Sequence, residues 1–105
     1  MVFSNHLLLK IRELNKFGIT HSCYPNSGYN SNNELITIEL IRPGEPISID
    51  FSTLFVGDTT LFQCTCGHIG CRNRILGFNF LPVIIQEKYL EAGVAVIIRS
   101  AYENG

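Results

Sequence analysis

Three cysteines, Cys64, Cys66 and Cys71, stand in the pattern C-x-C-x4-C inside FQCTCGHIGCRNR at 62–74. A tetrahedral zinc ion needs thiolates that converge on one point at about 2.3 Å each. Such short spacing limits the chain entropy lost on ligation, and Gly67 and Gly70 let the backbone wrap an ion. Three local ligands leave one tetrahedral corner, and Cys23, separated from Cys64 by forty intervening residues, is the cysteine that remains to fill it. A closed all-cysteine set is structural, because catalytic zinc keeps a position for water or substrate. It would pin the C-terminal loop to the Cys23 loop and contribute on the order of 10 kcal/mol to folding. His68 is the competing ligand, but it lies two residues from Cys66 and would have to double back, so it reads as a solvent-facing loop residue. Two disulfides, buried thiols or a redox-active C-x-C pair are the other readings of the same residues.

The elements that must position these ligands are unevenly marked. Residues 1–19 form an opening element of undetermined type: Leu7, Leu8, Ile11 and Leu14 follow helical spacing, but the length is marginal and the Asn-rich flanks are weak. From His21 to Asn33 the chain is rich in Ser, Asn, Pro and Gly and reads as loop. LITIELI at 35–41 alternates and is dominated by branched residues, which predicts a strand. PGEP at 43–46 breaks it, and Ile47, Ile49 and Phe51 alternate in a second short strand. An antiparallel pair across that turn is the simplest arrangement. STLFVGDTT at 52–60 is a connection, and Pro82 opens a helix to about Ala92 with Gly93 as its stop. Residues 94–102 are compatible with strand or helix.

The chain of 105 residues has room for one core, and 46% hydrophobic residues place it among folded proteins. A net charge of −1 makes no electrostatic case for nucleic acid or an anionic membrane. The apolar stretch 81–98 is interrupted by Gln86, Glu87, Lys88 and Glu91, which argues against a membrane span. MVFSNHLLLKIRE has too short an apolar run, and no small-residue cleavage site, for a secretory signal. The expectation is a soluble intracellular protein, in the cytoplasm or, in a eukaryote, the nucleus.

Three segments, in order, resemble the second half of a SET domain with its post-SET tail. HSCYPN at 21–26 resembles the family's Asn-His-Ser-Cys-x-Pro-Asn signature, and RPGEPISIDF at 42–51 its Gly-Glu-Glu-Leu-Thr-x-Asp-Tyr segment. FQCTCGHIGCRNRILGF at 62–78 is similar to the post-SET pattern Phe-x-Cys-x-Cys-Gly-x-x-x-Cys-Arg-Gly-x-Ile-x-Gly-Phe. The resemblance implies a mainly β fold of partial SET-like (β-clip) type with a short C-terminal helix. Residues 1–61 would form the C-terminal half of the SET-like domain, 62–80 the post-SET zinc segment and 81–105 a helical tail.

It also implies methyl transfer from S-adenosylmethionine to a lysine amine of a protein such as a histone tail. Cys23, Cys64, Cys66 and Cys71 would bind the family's zinc. His21 would face the adenine ring, with its backbone able to hydrogen-bond it, and Phe62 would help close the cofactor and lysine pocket; the plainer alternatives are a satisfied loop histidine and a core aromatic. The family's leading Asn is Thr20 here, and its pocket tyrosine aligns with Phe51. Loss of that hydroxyl costs on the order of 10²–10³ in rate where it is a preorganised donor; Tyr24 and Tyr29 are the nearby substitutes. Arg72 matches the post-SET arginine, while Asn73 stands where glycine is usual. The Gly-x-Gly turn of the first SET half has no counterpart before His21, so that half is absent or comes from another chain. A catalytically inactive zinc-stabilised module that binds a peptide or protein is the competing function.

Overall fold

The computed structural model describes residues 5–95, with side chains from residue 7 onward. Helix α1 (Asn5–Lys16) buries Leu7 and Leu14 and half-buries Ile11, the i, i+4, i+7 stripe, while Leu8 and Leu9 stay exposed. It ends in a Schellman motif. Ile19 N–H bonds to Leu14 O at 2.9 Å and Gly18 N–H to Asn15 O at 3.1 Å, with Gly18 at φ +76.

Four short strands follow in one sheet, in the order β1-β4-β2-β3. They are β1 (Thr20–His21), β2 (Ser27–Tyr29), β3 (Leu35–Thr37) and β4 (Ser48–Ile49). Strand β2 and the last residue of β1 therefore lie inside the stretch that composition marks as loop. The strand expected over 35–41 is confined to its first three residues, because Ile38 and Glu39 both turn their N–H groups onto Asn26 O.

The expected antiparallel pairing across PGEP does not form. The turn is present, with Glu45 N–H bonded to Arg42 O at 3.0 Å, but β3 pairs antiparallel with β2, and β4 pairs parallel with both β1 and β2. Buried Asn26 explains the choice. Its Oδ1 accepts from Ser48 N–H at 3.0 Å and its Nδ2 donates to Pro46 O at 2.9 Å, so one side chain supplies the strand-like partners that draw β4 into the sheet. Alternation shows that a segment is a strand, but not which strand it meets.

After β4, Asp50 caps a 3₁₀ turn at Phe51–Leu54 by accepting from Ser52 N–H at 3.0 Å. A two-stranded antiparallel ladder, β5 (Phe62–Gln63) and β6 (Arg74–Ile75), then carries the cysteine loop between its arms. Asn73 takes the left-handed conformation at φ 65, which Asn tolerates better than other side chains, and so fills a position where glycine was expected. Helix α2 (Val83–Glu91) starts directly after Pro82. It stops as expected: Val94 N–H bonds to Tyr89 O at 2.9 Å, and Gly93 N–H to Leu90 O at 3.1 Å.

The expected fold class holds in its coarse form, small sheets and connecting loops with a short C-terminal helix, and a second helix stands at the N-terminal end. One core cluster joins Leu7, Leu14, Ile49, Phe55 and Ile75; another joins Phe78, Leu81, Tyr89 and Val94. Among the described residues no helix is long and apolar enough to cross a membrane. The undetermined element at 94–102 falls almost wholly outside the described residues.

Candidate metal centre and adjoining cleft

The β5–β6 ladder brings Cys64, Cys66 and Cys71 onto the Cys23 loop, and all four Sγ atoms lie within 4.8 Å of one another. Thiolates at tetrahedral corners about 2.3 Å from one ion stand about 3.8 Å apart, so the cluster is compatible with a metal ion such as zinc. Cys23 Sγ is 4.0 Å from Cys64 Sγ. Arg72 N–H donates to Cys23 Sγ at 3.5 Å, a bond that favours the ionised sulfur. His68 stays out of the cluster: its ring lies against Tyr24, centroids 5.9 Å apart.

The thiols differ in their hold on protons. Burial pushes Cys23 up to about 12 and raises Cys64 as well. Burial also opposes the charge on Cys66, yet the N–H groups of His68 and Cys23 and the neighbouring thiols outweigh it and bring Cys66 down to about 6. Four thiolates cannot share this half-buried space without a cation, so metal binding here must release protons.

His21 joins the cluster to the sheet. Its Nδ1 accepts from Phe51 N–H at 3.0 Å, which leaves the proton of the neutral ring on Nε2, 3.4 Å from Cys23 Sγ. Burial lowers the imidazole to about 4, against the pull of Asp50, so the ring is neutral at pH 7. Both nitrogens are therefore engaged, and only the ring's carbon edge is left for a ligand.

That ring packs edge-on to Phe51 and Phe62, with centroids 5.6 and 5.1 Å away. The three aromatics, which come together from β1, the 3₁₀ turn and β5, wall a cleft of about 530 Å³. Leu8, Ile11 and Asn15 of α1 form another wall, and Cys64 and Cys66 border it. Of the residues singled out in the sequence, His21, Phe51 and Phe62 thus meet at this cleft. Thr20 does not line it and faces a second cavity of about 520 Å³ instead. Tyr24 also lines that second cavity, and neither Tyr24 nor Tyr29 lines the first.

Sequence reasoning missed the group beneath the site. The Asp50 side chain is fully buried and is bonded by Arg72 Nη2 at 2.6 Å and Tyr89 Oη at 2.7 Å, besides its cap to Ser52. Burial works against the Arg72 charge, but the Asp50 hydrogen bond and charge more than restore it and hold its pKa above the ordinary value. Burial, then the Asp50 charge, raises the Tyr89 phenol. One carboxylate thus ties the cysteine loop, the 3₁₀ turn and α2 together. In the sequence it sits on the polar phase of an alternating strand, and the one hint of a partner is Arg72 beside Cys71.

No protein-family model, curated protein or solved structure matches the chain.

Proposed function

We propose that Cys23, Cys64, Cys66 and Cys71 hold one structural zinc ion, and that the chain is the C-terminal half of a SET-like lysine methyltransferase, weakened at its catalytic position. The observation that carries this reading is the meeting of His21, Phe51 and Phe62 around one cleft that borders the cysteine cluster. The zinc would fasten the loop that carries Phe62 and take no part in the chemistry.

The cleft suits one end of S-adenosylmethionine. Aromatic edges and the neutral groups of Asn15, Gln63 and Thr65 match an adenine ring. Among the described residues no Lys, Arg, Asp or Glu side chain lines it, so the charged amino-acid end finds no partner among them. The residues present do not complete the cofactor site, and no transfer step is assigned to this chain alone. A missing N-terminal SET half would supply the rest. The acceptor would be a lysine of a protein such as a histone tail.

A second reading, an inactive zinc-stabilised module that binds a peptide or protein, is favoured by Phe51. Its ring has no hydroxyl and is buried at 4% exposure between the other two aromatics. Three measurements separate the readings. Metal analysis should find one zinc per chain. Calorimetry should find weak binding of S-adenosylmethionine that Phe62→Ala abolishes, and label transfer to histones should require an added SET N-terminal half. Absence of cofactor binding and of transfer, with zinc present, leaves the module reading.

A further inference from the structure

The second cavity draws its walls from the segments at 20–26, 39–48 and 66–68 and shares His21 and Cys66 with the first. It differs from the first in carrying charge. Glu39, Glu45 and Arg42 line it, with the rings of Tyr24 and His68. Glu45 is already engaged, since its Oε1 accepts from Arg42 N–H at 3.1 Å across the PGEP turn.

Glu39 and Tyr24 instead meet an ammonium group. Lys88 reaches over from α2 and places Nζ 4.7 Å from the Tyr24 ring centroid and 3.6 Å from Glu39 Oε1. An aromatic face and a carboxylate at the mouth of a half-enclosed cavity are the chemistry that selects an alkylammonium. Lys88 does not fill that role tightly. A contact of 3.6 Å is longer than the roughly 2.7–2.9 Å of a good charge-assisted hydrogen bond, and the Lys88 side chain remains 46% exposed. It touches the site from the rim and is not among the residues that line the cavity.

We propose that Tyr24 and Glu39 form a receptor for a lysine side chain of a partner polypeptide, and that Lys88 occupies it as a tethered placeholder in the free protein. An incoming lysine makes the same two interactions from inside the cavity. It also lays its aliphatic stem against Pro25, Leu40 and Pro46 of the cavity wall. Lys88 then acts as an intramolecular competitor, reducing the apparent affinity by the fraction of time it holds the site. The site uses neither the cleft nor a cofactor, so it stands apart from the methyl-transfer reading.

The test is a nuclear magnetic resonance titration of the full metal-loaded chain with Nα-acetyl-lysine methylamide, beside the uncharged norleucine analogue. The lysine probe should shift the amide signals of Tyr24 and Glu39, and the norleucine probe should not. Lys88→Ala should tighten binding about fivefold. Tyr24→Leu or Glu39→Gln in that background should weaken it at least as much. The Tyr24 residue is 59% exposed, and the Glu39 and Lys88 side chains 41% and 46%, so these variants should keep the wild-type spectrum elsewhere. Equal affinity in wild type and Lys88→Ala overturns the proposal, as does binding that ignores Tyr24 and Glu39 or the probe's charge.

Discussion

Tyr89 Oη donates a 2.7 Å hydrogen bond to Asp50 Oδ2, joining α2 to the turn beneath the cysteine loop across 39 residues of sequence. The other carboxylate oxygen holds Arg72. Tyr89→Phe should cost about 2 kcal/mol, the loss of one hydrogen bond to a buried charge. Asp50→Ala should cost about 3–5 kcal/mol, because it leaves the Arg72 guanidinium without its partner. Urea denaturation of the two variants should return that order.

The raised Tyr89 phenol also predicts the alkaline behaviour. Its folded pKa lies above the ordinary value of about 10, so its contribution to stability is complete below pH 10. Above pH 10 the unfolded chain releases this proton and the native one does not, so stability falls as pH rises toward the folded pKa. Stability measured from pH 9 to 11 should show this loss in the wild type, and Tyr89→Phe should lack this component. Tyrosinate absorbance near 295 nm should show a component that ionises only on unfolding and that Tyr89→Phe lacks.

The cysteine cluster should respond as a unit. Chelation, or Cys→Ser at any of the four ligands, should remove the metal and the dispersion of amide signals from 62–75. Metal loading should release protons, read as acidification of a weakly buffered solution, because burial keeps Cys23 and Cys64 protonated until a cation arrives.

Two glycines separate backbone strain from crowding. Gly93 sits at φ +92, and an added Cβ would meet nothing closer than Ile36 Cδ1 at 3.6 Å. Gly93→Ala should therefore cost only the left-handed penalty, about 1 kcal/mol. At Gly77 an added Cβ would lie 2.4 Å from the Gly57 backbone nitrogen, so Gly77→Ala must displace the chain. It should cost about 3 kcal/mol or more. Thermal melts of the pair should show the difference.

What could be read directly was what depends on near neighbours in the chain. The C-x-C-x4-C spacing pointed to the cluster, Pro82 and Gly93 bounded α2, and of the apolar set Leu7, Leu8, Ile11 and Leu14 all but Leu8 fall on the face α1 buries. Each rests on a local constraint: ligand reach, a fixed φ, or a 3.6-residue period.

Only the tertiary structure decided the rest, because long-range partners leave little local trace. Alternation could not reveal that β4 enters the sheet parallel to β1 and β2, a choice tied to the buried Asn26 side chain. Nor could it distinguish Asp50 from a solvated strand residue, since its partners Arg72 and Tyr89 come from two later segments. The same folding engages both nitrogens of His21, so that the residue braces the sheet against the cysteine cluster while its ring borders the cleft.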